Sequence, residues 1–264
     1  MQLKFSKTLI ADERFESAAF IDVNNDGHLD IVSGAYWYEG PDFEKVHPVG
    51  PVLADGEYFD DFSTIPLDIS GNGLKDFVTG GWWGNTLRWR ENPGKPGDEW
   101  NTHIISETGN VETTKGWDLD GDGVLEIVPN CPNGPLAVWK LNTDANGKGM
   151  AGFTRHEISS ALQGHGLGAG DITGNGRMDL IVGTGWYEAP KKPWEQEWVF
   201  HPEFDLGQTG IPIIVTDVNG DGLPDLIVGG GHRYGLEWYE QRVEKEKRRW
   251  IRHPIDPYNS QYHD

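Results

Sequence analysis

Five stretches of the chain repeat one pattern: Asp22–Asp30 (DVNNDGHLD), Asp68–Asp76 (DISGNGLKD), Asp118–Glu126 (DLDGDGVLE), Asp171–Asp179 (DITGNGRMD) and Asp217–Asp225 (DVNGDGLPD). The shared form is D-x-[D/N/S/T]-x-[D/N]-G-x-x-[D/E], and successive first aspartates lie 46, 50, 53 and 46 residues apart. A period of this length marks a tandem structural unit. The residues downstream of each loop recur as well. An apolar run (IVSG, FVTGG, IVPN, LIVGTG, LIVGGG) leads to a tryptophan-centred segment (YWYEG, LRWREN, LAVWK, GWYEA, LEWYE), then to one carrying a histidine (KVHPV, EWNTHII, FTRHEI, EWVFHPE, RWIRHPI).

Short β-branched and aromatic runs bounded by Gly, Asp and Asn read as strands, and no segment has the period of a long amphipathic helix. The fold class is therefore all-β. Four antiparallel strands per unit, repeated about an axis, is the blade of a β-propeller. Residues 1–264 read as one such domain with five calcium-loop repeats, either five-bladed or a fragment of a seven-bladed propeller. The N-terminal KFSKTLI matches a fourth strand, so the chain is expected to enter through the outer strand of a neighbouring blade.

A net charge of −20 speaks against nucleic acid, whose phosphates need Lys and Arg, and against anionic membrane surfaces. No apolar run approaches the length of a membrane-spanning helix. No signal peptide is visible at the N-terminus, and the lone Cys131 forms no internal disulfide, so the compartment and the oligomeric state stay open.

Oxygen ligands at positions 1, 3, 5 and 9 with glycine at 6 are what a hard cation requires, and the loop resembles the first half of an EF-hand. The expected Ca²⁺ ligands are Asp22, Asn24, Asp26 and Asp30; Asp68, Ser70, Asn72 and Asp76; Asp118, Asp120, Asp122 and Glu126; Asp171, Thr173, Asn175 and Asp179; and Asp217, Asn219, Asp221 and Asp225. The alternative is a polar turn of Asx type. Acid content ranks the loops starting at Asp22, Asp118 and Asp217 above the other two.

Strand direction puts the starts of the first strands at the end opposite the loops. Glu16, Asp61, Phe62, Glu112, His165 and Ile211 stand there, joined by the turns carrying Trp82, Trp83, Asn85, Trp186, His232 and Arg233. Trp82, Trp83, Asn85 and Trp186 are candidates for binding a sugar, since ring faces and amides suit its apolar side and hydroxyls. Five of nine histidines (His47, His103, His156, His201, His253) repeat at one fourth-strand position and are read as structural; His28 is a variable loop residue. His165, His232 and the terminal His263 do not repeat. With Glu112, His165 and His232 make a two-histidine, one-carboxylate set able to hold Zn²⁺ with an open position. Alternatively, they are a pair of hydrogen-bonding cleft histidines.

These units resemble the FG-GAP and VCBS repeats of integrin-type propellers and of bacterial carbohydrate-active proteins. The stretches DDFSTIPLDISGNGLKDFVTGGWWGNTLRWRENPG, GNVETTKGWDLDGDG and QGHGLGAGDITGNGRMDLIVGTGWYEAP are more narrowly similar to the propeller of the fungal aldos-2-ulose dehydratases. That resemblance implies a metal-dependent carbohydrate lyase acting on a keto-sugar such as 1,5-anhydrofructose, with zinc in the cleft. Catalytic candidates are then Glu112, Asp61 and His232 as bases and Arg233 as neutraliser of enolate charge. The cupin domains of those enzymes are missing from this chain. The competing expectation is a non-catalytic, calcium-stabilised propeller that binds carbohydrate or protein.

Overall fold

The computed structural model describes residues 3–245, 247–260 and Tyr262; His263 lies outside them. All its regular structure is β. The first sheet runs β1 (Ala19–Ile21), β2 (Asp30–Ser33), β3 (Tyr36–Glu39) and β4 (Lys45–Pro48) in sequence order. A small hairpin, β5 (Ala54–Asp55) and β6 (Tyr58–Phe59), precedes the second sheet of β7 (Ile65–Leu67), β8 (Asp76–Gly80), β9 (Thr86–Glu91) and β10 (Asn101–Glu107). The third holds β11 (Thr113–Trp117), β12 (Glu126–Asn130), β13 (Pro135–Thr143) and β14 (Gly149–Leu162).

The fourth unit, β15 (Leu167–Gly170), β16 (Asp179–Val182), β17 (Gly185–Glu188) and β18 (Val199–His201), is fused to the fifth. The fifth comprises β19 (Ile213–Thr216), β20 (Asp225–Gly229), β21 (Tyr234–Glu244) and β22 (Lys247–Ser260). The join is a parallel pairing of the two first strands, Gly168 with Ile213 and Ala169 with Ile214. Glycine permits it: a Cβ on Gly168 would lie 2.3 Å from the Ile213 carbonyl oxygen, and one on Gly170 2.4 Å from Val215 Cβ.

The core is a series of seams between consecutive sheets. Ile21, Val32 and Trp37 meet Phe77 and Trp100; Val78 and Trp89 meet Ile127, Ala137 and Leu141. Val128 and Val138 meet Leu180, Val182 and Tyr187, and Ile181 and Trp186 meet Ile213, Leu226 and Val228. Each unit thus buries one face against the next, which it could not do alone. A fully buried indole alone stabilises such a seam by about 4–6 kcal/mol at roughly 25 cal/mol/Å².

Residues 3–18 form no strand, contrary to the expectation for KFSKTLI. The outer position of the fifth sheet is taken by β22, which pairs with β21 along most of its length.

Candidate functional site

Four contacts between neighbouring units mark one end of the assembly, all at the starts of first strands. The Glu16 N–H donates to Asp61 Oδ1 at 3.2 Å, and the Thr113 hydroxyl to the Phe62 carbonyl at 2.9 Å. Glu112 Oε1 lies 3.0 Å from His165 Nε2, and His165 Nδ1 donates to the Thr209 carbonyl at 2.5 Å. Glu16, Asp61, Phe62, Glu112 and His165 are among the residues that strand direction groups together in the sequence.

Glu112, His165 and His232 come together with their donor atoms all within 4.8 Å of one another. His165 is buried and His232 exposed, their rings 4.7 Å apart at 74°. The Thr209 carbonyl can only accept, so Nδ1 of His165 carries the proton and Nε2 faces the Glu112 carboxylate. An acceptor nitrogen opposite a carboxylate is satisfied by a proton or by a shared cation. The spacing fits either: two ligands each about 2.0–2.1 Å from one Zn²⁺ stand roughly 3.3 Å apart at the tetrahedral angle. Thr209 supplies the outer hydrogen bond that fixes a ligating imidazole. Asn130, fully buried, donates to Gln163 Oε1 at 2.9 Å and to the Gly164 carbonyl at 3.0 Å, anchoring the loop that carries His165. Thr209 and Gln163 were not singled out in the sequence; neither repeats, and no local motif announces them.

Asp61 lies beside this cluster along the same end and is 4% exposed. Burial pushes its carboxyl up to about 7, and the charge of Glu16 adds to the shift. Among the described residues its Oδ2 is a buried atom with no hydrogen-bond partner. Its neighbour in sequence, Phe62, belongs to an aromatic group. Trp83 stacks on the exposed Tyr58 at 5.7 Å and meets Phe62 edge-on, while its backbone N–H donates to Asp60 Oδ1 at 2.8 Å. Trp82 and Trp83 are partly exposed, and Asn85 is exposed at φ 54°, its amide donating to the Trp83 carbonyl.

Two expected site residues do not belong to it. Trp186 is completely buried and stacks on His201 at 4.1 Å, so it is a core residue of the fourth seam. Arg233 is held by Glu237, 1% exposed, through bonds of 3.0 and 2.9 Å, and also donates to the Leu206 carbonyl. It shares that buried carboxylate with Arg252.

The repeated histidines behave as read in four of five units. His47, His103, His201 and His253 stack on Trp37, Trp89, Trp186 and Trp238 at 4.1–4.5 Å. Each also contacts the glutamate two residues beyond its tryptophan (Glu39, Glu91, Glu188, Glu240) at 2.7–3.1 Å. His156 departs: it lies opposite Val138 and against Trp194.

At the other end stand the five loops. The first aspartate of each accepts the N–H of the glycine at position 6, as Asp22 does from Gly27 and Asp217 from Gly222. Position 4 is left-handed in every copy (Asn25, Gly71, Gly121, Gly174, Gly220), as is position 6. The ninth-position acids are fully buried. Asp30, Asp76, Asp179 and Asp225 each accept the N–H of loop position 2 on one oxygen; on the other, the first three accept an N–H just beyond the third strand, and Asp225 accepts that of Gln241 within β21. They strap strand to loop whatever else they do. Burial raises the carboxyls of Asp30, Asp76 and Asp179, the last to about 6.

The wider concavities lie away from the Glu112 cluster. One of about 740 Å³ runs along β14, lined by Arg155, Ser160, Tyr187, Trp194 and Trp198, and one of about 260 Å³ sits between the third and fourth loops.

Residues 118–182, from the third loop through β16, match the FG-GAP-like repeat family. No curated protein matches the chain. Among solved structures it is similar to an Agrocybe aegerita lectin that recognises non-reducing terminal N-acetylglucosamine, with 18% identity and a TM-score of 0.52. It is also similar to the biofilm matrix protein Bap1 of V. cholerae, with 16% identity and a TM-score of 0.51. The alignments take in 92% and 97% of this chain but only 66% and 43% of those proteins. At such identities the likeness is one of fold.

Proposed function

We propose that this chain is a carbohydrate-binding propeller domain whose ligand site is the end formed by the starts of the first strands. The observation that carries the reading is the aromatic group at this end: the exposed Tyr58 stacked on partly exposed Trp83, with Trp82 and the exposed Asn85 in the same turn. Aromatic faces beside a few fixed polar groups suit a sugar ring. The fold shared with a lectin and a matrix protein supports the same reading. The loops at the far end are calcium struts: positions 1, 3 and 5 offer oxygens to the ion, which offsets the cost of the buried ninth-position acid. Each Ca²⁺ bound would offset two units of the net charge of −20. Calorimetric titration with a glycan panel tests the site. Trp83→Ala is expected to weaken the best ligand about tenfold or more, and unchanged affinity would sink the assignment.

A second reading, a metal-dependent keto-sugar lyase, is favoured by one observation: the convergence of Glu112, His165 and His232. These three would hold Zn²⁺, which supplies polarisation of a carbonyl and acidification of the neighbouring C–H. Asp61, at about 7, suits a base near neutral pH. Arg233 is tied in place by Glu237, which it shares with Arg252, and by the Leu206 carbonyl, so it is not poised toward an enolate; this ranks the lyase second. Zinc content and the ultraviolet absorbance of an enone from 1,5-anhydrofructose decide it. Zinc-free, inert wild type removes the lyase; zinc and turnover both lost in His165→Ala establish it.

A further inference from the structure

The third loop carries more acid than any other, yet its oxygens already face a cation. The Lys140 ammonium lies 2.8 Å from Asp120 Oδ2, 2.6 Å from Asp122 Oδ2 and 2.8 Å from Glu126 Oε1. These are positions 3, 5 and 9 of the loop, three of the four side chains that would ligate calcium. An ammonium has three N–H donors, and three carboxylates saturate them. Trp194 adds an indole N–H to Asp120 Oδ2 at 2.5 Å, and its ring lies 5.8 Å from the lysine nitrogen.

Among the described residues no other unit is built this way. The residue after the repeated tryptophan is Tyr38, Arg90, Tyr187 or Tyr239. Arg90 turns away to Thr102 and the Pro51 carbonyl. In the fifth unit Arg242 is half exposed and reaches one loop acid, Asp221, at 3.8 Å. The third unit departs from the repeat in concert. Leu141 replaces the glutamate that elsewhere holds the histidine, His156 moves to Trp194, and Trp194 closes over the lysine and Asp120.

We infer that Lys140 is the resident cation of the third loop, replacing the Ca²⁺ that the other four loops take. A divalent ion there would have to displace an ammonium that occupies three ligands. The ranking by acid content is thereby inverted: the most acidic loop is the one that needs no metal. This inference rests on the calcium reading of the repeat.

Native mass spectrometry in calcium, with an EGTA control, tests both. Wild type is expected to hold four Ca²⁺ and Lys140→Met five, with the melting temperature of Lys140→Met more sensitive to EGTA. Lys140→Gln, which keeps a polar side chain, should show the same gain of one ion. Equal, non-zero counts in wild type and both variants overturn the inference while leaving the calcium reading intact. No calcium on any of the proteins refutes the calcium reading and this inference with it.

Discussion

Asp61→Asn should make the protein more stable above neutral pH. The wild-type carboxyl is 4% exposed and is raised from 3.8 to about 7, first by burial and then by the nearby Glu16 charge. A carboxyl whose folded value exceeds its unfolded value contributes stability that is fully present below about 4 and lost as pH rises through about 7. Each unit in that window is worth about 1.4 kcal/mol, so the loss between pH 4 and pH 8 is about 4 kcal/mol at most. Asparagine keeps an oxygen for the Glu16 N–H and carries no charge. Urea unfolding at both pH values is the assay. Asp61→Asn should match wild type at pH 4 and exceed it at pH 8. If Asp61 also contacts the sugar, the stabilised variant will bind glycan less well, the trade-off expected of a functional group held in an unfavourable place. A variant less stable than wild type at pH 8, or a difference that does not change with pH, would refute the reasoning.

Asp30→Ala should lower stability by about 2–6 kcal/mol, because the buried N–H groups of Val23 and Gly40 both lose their acceptor; the urea midpoint reads it. His103→Gln should leave glycan affinity unchanged and cost about 1 kcal/mol from the lost stacking on Trp89. EGTA should lower the melting temperature, with Ca²⁺ and not Mg²⁺ restoring it. At a hundredfold excess over Kd each site contributes about 2.7 kcal/mol.

Much of this was legible in the sequence because the repeat imposes the same physical demand five times. Positions 1, 6 and 9 could be read directly, and position 4 could have been: Asn25 and glycine in the other four copies mark a left-handed residue. Trp186, a sugar-binding candidate in the sequence, could have been read as core instead, since its tryptophan-to-glutamate spacing equals that of Trp37 and Glu39. The histidine sorting holds in four of five units for the same reason, His156 being the exception, and the same rule flagged His165 and His232 as different. What the repeat does not carry was hidden. The pairing of Arg233 with Glu237 and the Thr209 carbonyl behind His165 arise from non-repeating turns. The Lys140 bridge depends on three loop acids whose purpose looked already explained.

Hydrogen–deuterium exchange with and without the best glycan of the panel tests the placement of the site most directly. The expected result is protection confined to residues 58–62, 82–85, 110–112, 163–166 and 230–233, with the five loops unaffected. Protection concentrated instead along β14 and around Trp194 and Trp198, or at the loops, would contradict it.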